Sequence, residues 1–191
     1  VYTGNATRDL CRILLADAAS LAARDAEYAN RKRRQSEDPV EPLFTHKDAE
    51  TAISQMAGMP YNQPREILPG LTLVFHDAGH ILGSGIVDLS YRSGDGNHRL
   101  VFTGDLGQYD TPILHDPAVI EQADTVIMEC TYGNRLHRDR EQTIREIGDI
   151  ITAARHDRGN ILIPSFAIGR SQELLTSSAI SRNRCQSTTR K

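Results

Sequence analysis

Asp77-Ala78-Gly79-His80-Ile81-Leu82-Gly83-Ser84 and the run Phe102-Thr103-Gly104-Asp105, whose aspartate lies 25 positions beyond His80, decide how this chain is read. In each, a residue able to bind a metal follows an apolar β-like run, and glycines clear space around it. Sheet-based enzymes present ligands in this way, from strand ends and turns. A zinc-type site needs imidazole nitrogen and carboxylate oxygen held rigidly, with room left for water. Each half also has an ordinary reading: His80 as a satisfied, partly buried histidine, and Asp105 as one of many Gly-Asp turns. Taken together, they are candidate metal ligands, with Asp105 suited to bridge two ions.

Outward from these motifs, the pattern separates into a helical half and a sheet half. Thr7 and Asp9, ahead of Leu10, Ile13, Leu14, Ala18 and Leu21, predict a capped amphipathic helix whose apolar spacing fades near Ala29. Arg31-Lys32-Arg33-Arg34 is then either a solvated helix end or a phosphate-contacting patch. Thr45 is a candidate cap for a second helix from His46 to about Met56. Strands are expected over Leu71 to Phe75, Gly85 to Tyr91 and His98 to Thr103, with Ser93-Gly94-Asp95-Gly96-Asn97 as a hairpin turn. Asp124 to Glu129 reads as a short buried strand, Gln142 to Ala154 as a helix, Asn160 to Pro164 as another buried strand, and Gly169 to Leu175 as a helix start. Meander first and β-α-β alternation afterwards predict an α/β sandwich grading into a doubly wound segment. Ser177 to Lys191 carries neither periodicity.

The 191 residues suit one domain, or one domain and part of another. No apolar run is long enough to span a membrane, and no signal peptide opens the chain. Val1-Tyr2-Thr3-Gly4-Asn5 reads like the tail of a strand, so an N-terminal truncation is expected. The 3 cysteines, Cys11, Cys130 and Cys185, form no Cys-x-x-Cys pair. That argues against a disulfide framework or a thiolate zinc knuckle, and points to a reducing cytoplasm. A net charge of −3 gives no global nucleic-acid signature, so a polyanionic substrate would need local patches or bound metal.

Two further candidates follow apolar runs. Glu129 sits at the carboxyl end of the expected strand, where open α/β sheets place function, and a capping or ion-paired glutamate is the lesser alternative. Arg170, in Ser165-Phe166-Ala167-Ile168-Gly169-Arg170, opens a helix where backbone N–H groups and a forked cation could hold an anion; a purely structural turn is the alternative. His76 is placed behind the site at most. Four residues of extended strand separate it from His80 by about 13 Å, at roughly 3.3 Å per residue. Cys130 lacks an evident base and reads as inert packing.

The two opening motifs, followed in order by Met128-Glu129-Cys130-Thr131-Tyr132-Gly133-Asn134-Arg135 and Ile163-Pro164-Ser165-Phe166-Ala167-Ile168-Gly169-Arg170-Ser171-Gln172-Glu173-Leu174-Leu175, resemble the metallo-β-lactamase-fold nucleases of the β-CASP group. Ala6-Thr7-Arg8-Asp9-Leu10 and Asp25-Ala26-Glu27-Tyr28-Ala29-Asn30 resemble the bacterial branch. The resemblance implies an αββα sandwich, present in part over residues 1–128, running into the start of a β-CASP α/β domain at 129–176, with a divergent tail at 177–191. It implies RNA as substrate and two Zn2+ in the complete protein, though a mixed His and carboxylate set also accepts other divalent metals. His80 would be a zinc ligand and Asp105 the bridging one. Glu129 would orient a downstream histidine near the scissile phosphate, and Arg170 would contact substrate. Hydroxide generated between the metals would attack phosphorus in line.

The family's His-x-His-x-Asp-His motif and its last histidine ligand match nothing in the chain. The expectation is therefore an internal fragment, inactive and weakly zinc-binding by itself. Two rivals keep the fold: a non-catalytic paralogue that binds RNA or a partner, and a hydrolase of a small ester or thioester. Homodimerisation is left open.

Overall fold

The computed structural model describes residues 1–34, 38–94 and 96–176. Asp95 at the expected hairpin tip, and the tail 177–191, lie outside them. The chain divides into two compact units, one spanning Val1–Met128 and a second beginning at Glu129.

In the first unit, β1 (Tyr2–Gly4) runs straight into α1 (Asn5–Lys32), followed by α2 (His46–Ser54) and β2 (Ala57–Met59). β1 and β2 pair in parallel, with Thr3 opposite Gly58. Because β1 holds the backbone extended through Gly4, the helix starts at Asn5, with Gly4 as its N-cap. Thr7 is thus not the cap expected from the sequence. It lies inside the first turn, and its hydroxyl is spent elsewhere, as described below. Thr45 does cap α2: its hydroxyl accepts from the Asp48 N–H while Asp48 accepts from the Thr45 N–H, a reciprocal box that also lowers the Asp48 carboxyl pKa. Small buried residues, Ala19 and Ala26 on α1 and Ala49 on α2, allow these helices to approach closely.

Five strands form the main sheet: β3 (Arg65–Leu68), β4 (Leu71–Asp77), β5 (Gly85–Ser93), β6 (Gly96–Phe102) and β7 (Thr125–Ile127), in that spatial order. The first four form an antiparallel meander, while β7 adds parallel to β6. Ile86 and Val101 point to one face and, with Ala78, make a small core. Leu106, Ala118, Ile120 and Ala123, from the irregular crossover between β6 and β7, close over it.

Two strand expectations need correction. β7 forms, but Val126, Ile127 and Met128 are each at least half exposed, so among the described residues it is an edge strand and not a buried one. Asn160 to Pro164 forms no strand, and Leu162 is 90% exposed. A β-strand exists only through a hydrogen-bonded neighbour, and that stretch pairs with none among the described residues. The doubly wound segment is therefore absent from them. The second unit instead holds α3 (Arg140–Asp157), capped by the Asp139 carboxylate on the Gln142 N–H, and helical residues 170–176.

Candidate metal centre

β4 and β6 flank β5 in an antiparallel meander, so they run in the same direction and release their carboxyl ends at one edge of the sheet. His80 follows β4 and Asp105 follows β6. Strands two places apart lie roughly 9.6 Å from each other, so the loops must lean together for the side chains to meet. They do: His80 Nε2 is 3.8 Å from Asp105 Oδ2.

The loop from Ala78 to Ser84 is fixed from several sides. The Ala78 N–H donates to the Ser84 carbonyl (3.3 Å), and the Ser84 hydroxyl accepts from the His80 N–H (3.0 Å). The Asp77 carboxylate accepts from the Gly79 N–H at 2.9 Å. Tyr61 donates its hydroxyl to the Ser84 carbonyl at 2.7 Å; burial first, and the nearby Asp77 charge second, push its pKa upward. Thr7 Oγ1 donates to the Gly83 carbonyl at 2.5 Å, tying α1 to the same loop. Gly79 has φ +64°, and a side chain there would strike the His115 carbonyl at 2.7 Å. Gly107, just past Asp105, donates its N–H to the Ala78 carbonyl at 2.8 Å, and a Cβ on it would collide with the backbone of Gly79. The two ligand-bearing loops therefore touch backbone to backbone.

Both candidate ligands remain open to solvent, His80 at 43% and Asp105 at 74% side-chain exposure. Two ligands on one tetrahedral zinc, each about 2.1 Å from it, stand roughly 3.4 Å apart. The observed separation, the neutral-nitrogen and carboxylate-oxygen chemistry, and the open side all fit such a use. The fit is to part of a ligand set: among the described residues no group of three His, Cys, Asp or Glu side chains converges.

Sequence reading did not find the buried charge behind this edge. Asp88, 3% exposed, accepts from the Arg99 guanidinium in a forked pair (2.7 and 3.1 Å) and from His76 Nε2 at 3.0 Å. His76 Nδ1 in turn lies 2.7 Å from Asn62 Oδ1. Burial by itself would raise the Asp88 carboxyl, but the bonds from Arg99 and His76 outweigh it and hold the carboxyl below its ordinary value; the same pairing raises Arg99. His76 lies on β4 and Arg99 on β6, so Asp88 clamps together the two strands that carry the ligands. The signal was an aspartate at an apolar-facing position, two residues after Ile86, with an arginine on the next strand.

Glu129 and Arg170 belong to the second unit. Glu129 is partly exposed. Arg170 Nη1 pairs with Glu173 Oε2 at 3.1 Å, and the Gly169 N–H, offered above as an anion donor, is taken by Gln172 Oε1 at 2.7 Å. The sequence reading of Cys130 as packing needs correction, since it is exposed. No helix among the described residues is long and apolar enough to cross a membrane.

No family model matches the chain. Among curated proteins it is 35% identical over 179 residues to the transcription termination factor FttA of Thermococcus kodakarensis, covering 92% of this chain and 25% of that protein. FttA of Methanocaldococcus jannaschii is 32% identical, with 92% and 26% covered. Ribonuclease TTHA0252 of Thermus thermophilus is 38% identical over 135 residues, covering 71% of this chain and 30% of that protein. The chain thus spans about a quarter of the length of the curated relatives it matches. Its four ordered motifs and these matches make it a relative of the RNA-processing β-CASP nucleases.

Proposed function

We propose that this chain is part of a metal-dependent phosphodiesterase that cleaves RNA. In this reading Val1–Met128 belongs to a metallo-β-lactamase-like sandwich, and a β-CASP domain begins at Glu129. The observation that carries it is the approach of His80 to Asp105 at one sheet edge, on loops pinned backbone to backbone. The ribonuclease among the relatives favours RNA over a small ester as substrate.

His80 would hold a divalent cation, zinc by the chemistry of its donors, through neutral Nε2, and Asp105 would share its carboxylate between two such ions. When bound, the metals supply Lewis acidity and a water of lowered pKa. Glu129 would accept a hydrogen bond from a histidine lying outside the described residues, orienting it to protonate the leaving oxygen. Arg170 would turn from Glu173 to a phosphate of the strand, exchanging an exposed intrahelical pair of small worth for a forked contact.

Full-length gene product, as wild type and as Glu129→Gln, tests the reading on end-labelled single-stranded RNA with zinc content measured in both. Cleavage by the wild type, with about a 10²-fold loss in the variant at unchanged zinc, is expected for a residue that orients a general acid. Equal cleavage by both proteins would remove Glu129 from the mechanism, and no cleavage by metal-loaded wild type would remove the nuclease reading.

A further inference from the structure

The segment that follows Glu129 assembles two rings and a cation. Tyr132 and His137 lie with ring centroids 3.8 Å apart and planes inclined by 33°. Arg135 places its guanidinium carbon 4.8 Å from the centre of the Tyr132 ring. Two consecutive turns produce this clustering, closed by the Gly133 N–H on the Cys130 carbonyl (3.1 Å) and the Arg135 N–H on the Tyr132 carbonyl (3.3 Å). Arg138, next in the chain, grips both carboxylate oxygens of Glu146 at 2.7 Å, which anchors the end of the segment to α3.

All three side chains are exposed. Burial of apolar area is therefore not what the cluster provides, and its side chains stand in solvent, where a ligand can reach them. Aromatic rings interleaved with arginine hold single-stranded nucleic acid: each base offers a π-face, and the cation serves both the ring and a flanking phosphate. Tyrosine and histidine side chains carry few rotatable bonds, and here the two rings are already in contact in a tilted pair, so little entropy remains to be lost on binding.

We propose that Tyr132, His137 and Arg135 form a stacking platform for an unpaired base of single-stranded RNA, with Arg135 beside the adjoining phosphate. The proposal rests on the RNA reading above and extends it: the platform lies three to eight residues from Glu129 in sequence, within the same unit. It selects for strandedness and not for sequence, because a paired base cannot offer its face.

The test is RNA binding by full-length gene product in chelating buffer, read by fluorescence anisotropy with a labelled single-stranded oligonucleotide and with the same strand carrying abasic positions. Tyr132→Leu and His137→Ala should each weaken binding to the intact strand by about tenfold, Tyr132→Phe should keep wild-type affinity, and the abasic strand should bind all four proteins alike. Arg135→Gln should weaken binding and flatten its salt dependence by about one counterion. Wild-type affinity in Tyr132→Leu and His137→Ala, or an equal loss on the abasic strand, overturns the platform while leaving the nuclease reading intact. Failure of the wild type to bind any RNA in this buffer also overturns the platform, whereas the nuclease reading falls only if metal-loaded wild type leaves RNA uncut.

Discussion

His80 Nε2 stands 3.8 Å from Asp105 Oδ2, although they are 25 positions apart in the chain with a complete β-hairpin between them. The meander makes this unavoidable at the level of the backbone: alternate strands share a direction, so their exits share an edge. The loops then close the remaining gap. Two donors are too few to hold zinc tightly, and that has a measurable consequence. The chain of 191 residues by itself should bind zinc only weakly in competition with a chromophoric chelator, whereas full-length gene product should retain it through gel filtration. In the full-length protein, His80→Gln and Asp105→Asn should each lower zinc content by elemental analysis. Retention of the wild-type amount by both variants would exclude these residues as ligands.

Gly107 offers a steric probe of the same site. A methyl group there meets the Gly79 backbone, which cannot move without shifting the loop that carries His80. Gly107→Ala should therefore lower the melting temperature and weaken zinc retention together. Gly94→Ala, at a position where a Cβ meets nothing, should do neither. A Gly107→Ala protein as stable and as zinc-competent as wild type would show that the loops are not locked together.

Asp88 ties stability to pH. Its carboxyl is held below the ordinary value in the folded state, so the clamp with Arg99 and His76 contributes fully above the unfolded carboxylate pKa of about 3.9 and is lost as pH falls through the lower folded value. Asp88→Asn should cost about 2 kcal/mol at pH 7, below the full cost of breaking a buried pair because Arg99 is about one-third exposed and can regain water. The difference in stability between wild type and variant, followed by urea denaturation from pH 7 to pH 3, should shrink toward the acid end. A difference that stayed constant over that range would mean that the Asp88 charge is not what stabilises the sheet.

The meander and its site were legible because they are local. Alternation in Leu71 to Phe75 and in Gly85 to Tyr91, a Gly-rich turn between β5 and β6, and glycine-flanked His80 and Asp105 all act over a few residues. The helix cap at Thr45 was legible for the same reason. What failed depended on partners distant in sequence. Thr7 has the composition of a cap, yet β1 pairing with β2 set the helix start earlier and freed its hydroxyl for Gly83. Val126 and Ile127 have the composition of a buried strand, but among the described residues only β6 flanks them. Asn160 to Pro164 has strand propensity without a neighbour to pair with among the described residues. β2 and β3, with 3 and 4 residues, are too short for alternation to register. Asp88 was passed over because only the register of β4, β5 and β6 reveals that His76 and Arg99 reach it.

Anomalous diffraction at the zinc edge from crystals of the full-length gene product tests the ligand assignment most directly. The expected map places a zinc peak about 2.0–2.2 Å from both His80 Nε2 and Asp105 Oδ2. A fully occupied zinc bound elsewhere, with these two side chains turned to solvent or to other partners, would contradict it.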